Sequence, residues 1–277
     1  MNITRFSDAR SFLNRAENWL LLREAENNLL LGIANRLLSG DHPYGEPIYL
    51  ATVEADDQIS GCAWRTPPHK LGLTRIPMSS VPLVVRDVAD VYPDLPAVLG
   101  PEAEATEFAR LWTRQFGSNW TVGTRQRIHF LDRVTPPTIH VQGALRKARS
   151  ADTRLVEEWG AGFARDTGVK NLDPLALSER LIRSGSLYLW DDRESRSMAA
   201  AVGTTPNGIR VGYVYTPPSF RSRGYATAIV ASLSQLLLDG GSRFCFLYTD
   251  LANPISNAIY ERIGYKPVTD VVDVNFC

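Results

Sequence analysis

The stretch that decides the fold is VYTPPSFRSRGYATAIV, Val214 to Val230. It begins with strand-forming residues, is interrupted at Pro217-Pro218, and becomes regularly apolar from Ala226 onward. Apolar residues that recur at helical spacing predict an amphipathic helix, and Gly224 stands in its first turn. The stretch therefore predicts a strand that leads into the N-terminus of a helix through a turn containing glycine.

A turn of this kind suits a phosphate group. The first backbone N–H groups of a helix have no partner within it, and the helix dipole favours a negative charge there. Arg221 and Arg223 add local positive charge, and Thr227 adds a hydroxyl group. The spacing alone equally fits an ordinary helix start with solvated arginines. The pattern is neither the GxxxxGK(S/T) nucleotide loop nor GxGxxG.

Length and composition restrict the class of protein. With 277 residues the chain can form two domains with separate cores. Acidic and basic residues balance at 30 each, so we expect neither nucleic acid nor an anionic membrane as a partner. The 3 cysteines and 4 histidines lack metal-ligand spacing, so no metal site is expected. Without a signal-peptide pattern or a long apolar run, the sequence predicts a cytoplasmic protein.

The order of the predicted elements divides the chain into two halves. The segment TPPTIHV, residues 135–141, resists helix formation and is the best linker, so we expect domains at 1–137 and 138–277. The second half is predicted as strand, helices, three-strand meander, helix, strand, helix and strand. The first half has the same order, except that it begins with its helices, over Ser7 to Ser39 with a break near Asn27-Asn28. The shared order indicates a duplication.

Two segments of the second half resemble a known superfamily. RSRGYA, Arg221 to Ala226, is similar to the (Q/R)xxGx(G/A) pyrophosphate loop of the GNAT superfamily, the acyl-CoA-dependent N-acyltransferases. NPISNAIYERIGY, Asn253 to Tyr265, resembles its second signature, a helix that carries an asparagine and a tyrosine and is followed by glycine and an aromatic residue. The resemblance implies an α/β (α+β) fold of two GNAT-like domains, each with a mixed central sheet flanked by helices.

The resemblance also implies where acetyl-CoA binds, without a metal ion. The fourth and fifth strands splay apart, the pantetheine arm pairs with the backbone at Tyr213 to Thr216, and the pyrophosphate lies on residues 221–227. Asn253 also fits a plain helix N-cap, since a proline follows it. The implied cofactor-binding residues are Val214, Tyr215, Thr216, Arg221, Ser222, Arg223, Gly224, Tyr225, Ala226, Thr227, Asn253, Ser256 and Asn257.

Tyr260 stands where GNAT enzymes carry the tyrosine thought to protonate the departing thiolate. A phenol with a pKa of about 10 is a reasonable acid for a thiolate of similar basicity. Tyr260 shares a helix face with Ser256, so we expect it to point toward the cleft. The core face of this helix is predicted to consist of Ile255, Ile259 and Ile263. A tyrosine that bonds a strand end is the structural alternative.

The sequence leaves open the base that deprotonates the amine. Many GNAT enzymes use a glutamate on the fourth strand, but Ile209 to Tyr215 contains no carboxylate. Asp250, at the end of the fifth strand, is one candidate, although capping the next turn is the favoured role. The carboxylate of Cys277 is another. Cys245 lies within an apolar strand and is interpreted as a core residue, so no covalent acyl-enzyme is expected.

The resemblance therefore predicts an N-acetyltransferase. It moves an acetyl group from acetyl-CoA to a primary amine of a small molecule or peptide, by direct attack in a ternary complex. A backbone N–H near Val214 or Tyr215 would polarise the thioester carbonyl. A non-catalytic acyl-CoA sensor is the alternative, and a homodimer is compatible with either. In the first half the loop position, Ile76 to Val85, lacks glycine and arginine and contains Pro82, so we expect no acyl-CoA there.

Overall fold

The computed structural model describes residues 1–40, 42–138, 140–169 and 172–277. These residues form two compact units, each built from more than one segment of the chain. Unit 1 consists of Met1–Ile128, Thr249–Ala252 and Pro267–Cys277, and unit 2 of His129–Tyr248 and Asn253–Lys266. Helices and mixed sheets build both units, which confirms the α/β (α+β) fold class.

The first half of the chain contains ten main elements, which we number in chain order. They are β1 Asn2–Arg5, α1 Ala9–Leu21, α2 Glu24–Ser39, β2 Tyr49–Ala55, β3 Gln58–Arg65, β4 Leu71–Leu73, α3 Val81–Ala89, β5 Ala97–Gly100, α4 Glu102–Phe116 and β6 Trp120–Leu131.

The second half repeats this order. Its elements are β7 Ala144–Lys147, α5 Thr153–Thr167, α6 Pro174–Arg183, β8 Leu187–Asp192, β9 Glu194–Val202, β10 Gly208–Tyr215, α7 Tyr225–Asp239, β11 Phe244–Asp250, α8 Pro254–Ile263 and β12 Lys266–Phe276. Single 3₁₀ turns precede α3, α5 and α7.

The prediction that the first half begins with its helices is wrong. Strand β1 precedes α1 and pairs antiparallel with β2, with Asn2 opposite Glu54 and Arg5 opposite Ala51. At 4 residues β1 is too short for its own pattern to identify it. Its backbone partner on β2 makes it a strand. Both halves therefore have the same element order from their first strand onward.

The break between the first two helices also lies earlier than predicted. Helix α1 ends at Leu21 and α2 begins at Glu24, so Asn27 and Asn28 lie inside α2. The Asn27 side chain donates a hydrogen bond of 2.9 Å to the carbonyl of Leu20. The same carbonyl also accepts a hydrogen bond of 3.2 Å from the Arg23 N–H, so Asn27 adds a second bond that ties α2 to the end of α1.

The sheet of unit 1 takes its last strand from the end of the chain. Its strand order is β1-β2-β3-β4-β5-β12, antiparallel except for the parallel pair β4 and β5. In β12, Val272 lies opposite Gly100, and Asn275 lies opposite Ala97. The final strand of the second half therefore completes the sheet of unit 1.

Both faces of the unit 1 sheet are covered by helices. Along β2, Tyr49, Ala51 and Val53 pack into the core beneath α3 and α4, whereas Leu50 packs into the core beneath α1 and α2. Side chains alternate between the faces of a strand, so β2 is buried on both sides, and its buried polar residues Thr52 and Glu54 hydrogen-bond to each other at 2.6 Å.

Unit 2 contains the site predicted from the sequence. Its strand order is β7-β8-β9-β10-β11, antiparallel up to β10 and parallel between β10 and β11. Helices α5 and α6 cover one core, and α7 and α8 cover another.

Among the described helices, none combines the length and apolarity needed to cross a bilayer.

The proposed linear boundary between residues 137 and 138 stays a prediction. Residues 132–143 lie between β6 and β7 and carry no helix or strand among the described residues, and Ile139 of the predicted linker lies outside them. The compact units follow strand pairing, which places Pro267–Cys277 in unit 1.

The placement of β12 predicts a stability effect in unit 1. Val274 is fully buried in the core beneath α3 and α4, so Val274→Ala should destabilise unit 1 by about 2 kcal/mol. In native-state hydrogen exchange the amides of β5 should lose protection, while those of β8 keep theirs. Val268→Ala, on the same strand but partly exposed, is the control and should cost less than about 1 kcal/mol. Loss of protection in β8 alone would contradict this assignment.

Candidate functional site

The parallel pairing of β10 with β11 stops partway along both strands. It runs from Gly208 opposite Phe244 to Arg210 opposite Phe246, whereas β10 continues to Tyr215. Beyond this point the backbone groups of β10 that face β11 are no longer engaged in the ladder. The structure thus shows the splayed fourth and fifth strands that the resemblance implied.

A bulge bends β10 where the splay opens. The register of β10 against β9 shifts between Gly212 and Tyr215, and Tyr213 has a φ of 50°. A bulge leaves residues outside the regular ladder and re-aims backbone groups, here around Val214. The bulge was not predicted from the sequence, because position 213 carries a tyrosine and not a glycine.

Neighbouring side chains fix the end of β10. The Ser197 hydroxyl donates to the carbonyl of Tyr215 at 3.0 Å and lies 2.9 Å from the Thr216 hydroxyl. The Tyr215 ring lies against α5, since a Cβ added to Gly162 would stand 2.3 Å from its hydroxyl oxygen. The Tyr213 ring contacts that of Phe163 with centroids 5.5 Å apart. The predicted residues Val214, Tyr215 and Thr216 therefore belong to a rigid strand end.

Gly224 forms the N-cap of α7 in a left-handed conformation, with a φ of 84° and no side-chain hydrogen bond. The first backbone bond of the helix runs from the Ala228 N–H to the Gly224 carbonyl. The N–H groups of Tyr225, Ala226 and Thr227 precede it and have no helical acceptor. This is the arrangement that suits an anion.

The loop needs glycine at position 224 for two reasons. Its positive φ is costly for any residue with a Cβ, and an added Cβ would lie 2.8 Å from the Cγ2 of Val141. Ser222 also has a positive φ, of 61°. The chain is therefore tightly folded just before α7.

The side chains of Arg221 and Tyr225 are held by contacts within the protein, which the sequence did not predict. The Arg221 Nε donates to the carbonyl of Thr216 at 2.9 Å, and its Nη2 pairs with the carboxylate of Asp166 on α5. The Tyr225 hydroxyl donates to the Asp192 carboxylate at 2.7 Å. Arg223 is exposed. Asp166 and Asp192 are site residues that sequence reasoning missed, because neither lies in a motif.

The asparagines of α8 bond to the backbone of their own helix. The Asn253 side chain accepts a hydrogen bond of 3.1 Å from the Ser256 N–H, and so it caps the helix. The Asn257 amide donates to the Asn253 carbonyl at 3.0 Å. Their proposed contacts with the cofactor stay a prediction.

The ring of Tyr260 lies on the apolar face of α8, not away from it as predicted, and its proposed role as the acid stays a prediction. Tyr260 is only 9% exposed and packs in the apolar core beneath α7, with its ring centroid 6.0 Å from that of Tyr265. Burial raises the pKa of its phenol to about 12. Ile255 was predicted for the core face but is 73% exposed. It is the second residue of α8, in the first turn of the helix. Ile263 is buried and Ile259 packs against the same core, as predicted, and Tyr260 lies beside them on the buried face.

The candidate bases have backbone partners. The Asp250 carboxylate accepts a hydrogen bond of 2.8 Å from the Ala252 N–H, which is the turn role favoured from the sequence. The Cys277 backbone exchanges two hydrogen bonds with Asn119 in unit 1. Cys245 is fully buried, and burial raises the pKa of its thiol to about 12, as for a core residue.

The corresponding loop of the first half has no comparable opening. Pro82 stands in the first turn of α3, and the preceding Ser80 is fully buried. The Ser80 hydroxyl lies 2.8 Å from the sulfur of Met1, so the start of the chain lies against this loop. The expectation that the first half binds no acyl-CoA stays a prediction.

The buried phenol of Tyr260 predicts a pH dependence of stability. Its folded pKa of about 12 exceeds the unfolded value of about 10, so its contribution is complete below pH 10 and is lost as the pH rises toward 12. Tyr260→Phe should therefore reduce the fall in the unfolding free energy over this interval, measured by urea unfolding. Below pH 9 the difference between the two proteins should be constant with pH. Equal slopes above pH 10 would show that Tyr260 is not buried.

Comparison with known families places the match in the second half. Residues 189–272 match the family described as FR47-like protein. This span runs from β8 into β12 and contains the strand, loop and helix described above. No match was found among the curated proteins.

Solved structures share the fold over nearly the whole chain. A Drosophila protein has a TM-score of 0.68 at 12% identity, covering 99% of this chain and 98% of that one. A GCN5-related N-acetyltransferase from Sphaerobacter thermophilus has a TM-score of 0.61 at 14% identity, covering 99% and 95%. A tandem GNAT protein from the clavulanic acid biosynthesis pathway has a TM-score of 0.55 at 12% identity, covering 100% and 98%.

At these identities the structures establish similarity of fold. Combined with the family match over β8 to β12, they confirm the resemblance that the two motifs indicated. This chain has the GNAT fold, and its second half carries the match to the FR47-like family.

Proposed function

We propose that this chain is an acetyl-CoA-dependent N-acetyltransferase whose catalytic half is unit 2. It transfers the acetyl group to a primary amine of a small molecule or a peptide. The observation that carries the proposal is the continuity of two features. The slot beyond Arg210 and Phe246 leads along β10 to the N-terminus of α7, where three N–H groups lack helical acceptors.

The two features fit the two ends of one ligand. Pantetheine carries amide groups, which suit the backbone of a strand that has lost its neighbour. A pyrophosphate suits the N–H groups of Tyr225, Ala226 and Thr227. Because Gly224 has no Cβ, its backbone can take the left-handed conformation that precedes these N–H groups.

Arg221 contributes less charge to this site than its position in the motif suggests. Its guanidinium already pairs with Asp166, so the phosphate would have to share it or displace the carboxylate. Both side chains are nearly half exposed, at 46% and 45%, where such a pair is worth about 0 to 1 kcal/mol. The exchange is therefore easy, and the backbone N–H groups supply most of the binding.

The bulge provides the polarising group. A backbone N–H near Val214 would bond the thioester carbonyl as the amine attacks, stabilising the negative charge that develops on oxygen. The acetyl carbon then forms its bond to nitrogen, and the bond to sulfur breaks. The amine gives up its proton to solvent or a base, and the thiolate takes up a proton.

The environment of Tyr260 favours the second candidate function, an acyl-CoA sensor without turnover. Its raised pKa makes it a weaker acid than an exposed tyrosine, and its ring lies among apolar side chains. A sensor needs the slot and the N-terminus of α7 but no proton donor. The two functions therefore differ in what Tyr260 must do.

Replacing Gly224 tests the binding site. Gly224→Ala should weaken acetyl-CoA binding by about tenfold or more in calorimetric titration, because the new methyl group strains the left-handed backbone and crowds Val141, and both displace the N–H groups at the start of α7. Gly241→Ala, near the other end of α7, is the control, since Gly241 has a φ of 102° but no atom within 4 Å of an added Cβ.

Equal loss of affinity in both glycine variants would mean that backbone strain acts through α7 as a whole. The wild-type protein should bind one molecule per chain. Two molecules would show that unit 1 also binds acetyl-CoA, and no binding would exclude both proposed functions.

Replacing Tyr260 distinguishes enzyme from sensor. In the enzyme, Tyr260→Phe should lower kcat by about 10²-fold while leaving acetyl-CoA affinity unchanged, because only the proton donor is removed. Release of CoA thiol is followed colorimetrically with a panel of primary amines. The control is Tyr265→Phe, whose hydroxyl contacts Ser234 at 2.8 Å in the core. Binding without thiol release from any amine would favour the sensor.

A further inference from the structure

Unit 1 contains a cavity that the proposed function does not use. Its volume is about 390 Å³, within the range of small-ligand sites, and it is lined by the end of α1, the start of α2, β3 and the segment after β4. All of its lining residues belong to unit 1.

The charges of the cavity do not balance. Glu26 is its one lining carboxylate, and Arg23 and Arg75 are its two lining cations. The Glu26 Oε2 lies 2.8 Å from the Arg75 Nε but 3.8 Å from the Arg23 Nη1, beyond hydrogen-bond distance. Arg75 is held further by the Thr269 hydroxyl at 3.0 Å. The lining therefore carries one positive charge in excess, centred on Arg23.

One carboxylate outside the lining acts on Arg75. Glu104 on α4 makes only the smallest contribution to the raised pKa of Arg75, and it does not line the cavity. The Arg23 side chain is 61% exposed, so its guanidinium can reach an incoming anion. A guanidinium binds a carboxylate through two parallel N–H groups.

Part of the lining is apolar. Leu22 is 79% exposed at the end of α1, a larger exposed fraction than that of any other large apolar residue recorded in the described chain. Trp19, Ile76 and Pro77 continue this surface. An apolar body placed here would remove Leu22 from water, which is favourable.

Unit 2 provides an internal comparison. There Asp166 of α5 pairs with Arg221 of the segment after β10, as Glu26 of α2 pairs with Arg75 of the segment after β4 in unit 1. In unit 1 Arg23 lies beside this pair, with its Nη1 3.8 Å from the Glu26 Oε2.

We propose that this cavity binds a small organic monocarboxylate with an apolar body. The carboxylate pairs with Arg23 beside the Arg75–Glu26 pair, and the apolar body covers Leu22 and Trp19. One excess positive charge next to an apolar wall matches one negative charge on an apolar molecule.

The test uses phenylacetate and its uncharged counterpart 2-phenylethanol, titrated into the full chain without acetyl-CoA. Phenylacetate should bind saturably and more tightly than the alcohol. Arg23→Gln should weaken phenylacetate by about tenfold and leave the alcohol unchanged, because it removes the excess charge and keeps the Arg75–Glu26 pair. Arg23→Lys should restore part of the loss.

Control experiments separate this site from a general charge effect. Arg110→Gln removes a unit 1 arginine that pairs with Glu107 on α4, and it should leave both titrations unchanged. Leu22→Ser should weaken both ligands.

Four outcomes would overturn the proposal. The acid and the alcohol could bind equally, or Arg23→Gln and Arg110→Gln could lose equal affinity. Inorganic phosphate could compete equally well, or phenylacetate could show no saturable binding. Acetyl-CoA titration of Arg23→Gln should match that of the wild type, so failure here leaves the proposed acetyltransferase function untouched.

Discussion

The site of unit 2 depends on the early end of one strand pairing. Strands β10 and β11 exchange backbone hydrogen bonds only as far as Arg210 and Phe246, and a bulge then turns β10 at Tyr213. A continuous parallel ladder would satisfy the backbone groups of both strands and leave no slot. The strained φ of Tyr213 persists because Phe163 and the Ser197 hydroxyl hold the strand end in place.

The two halves have the same order of elements, but the loop after the fourth strand differs between them. Each half follows the sequence strand, two helices, three strands, helix, strand, helix, strand. In unit 2 the fourth strand leads to Gly224 and an uncapped helix N-terminus. In unit 1 the same connection carries Pro82, a buried Ser80 and the contact with Met1. The architecture is shared, but the local residues decide whether an anion can approach the backbone.

Motif residues here serve structure as well as the proposed chemistry. Asn253 caps α8, Arg221 is tied to Asp166, and Tyr225 bonds to Asp192. In each case the side chain is engaged within the protein. In this chain the motif side chains therefore stabilise the conformation of the loop and the start of the helix.

The sequence by itself determined the strand, turn and helix around Gly224, because proline, glycine and apolar spacing act locally. It also determined the α/β (α+β) class and the resemblance to the GNAT superfamily. Only the tertiary structure decided that β1 is a strand, that β12 completes unit 1, and that Tyr260 faces the core while Ile255 faces solvent. These features depend on partners distant in sequence, since a short strand needs its neighbour's backbone and a helix face is chosen by what packs against it.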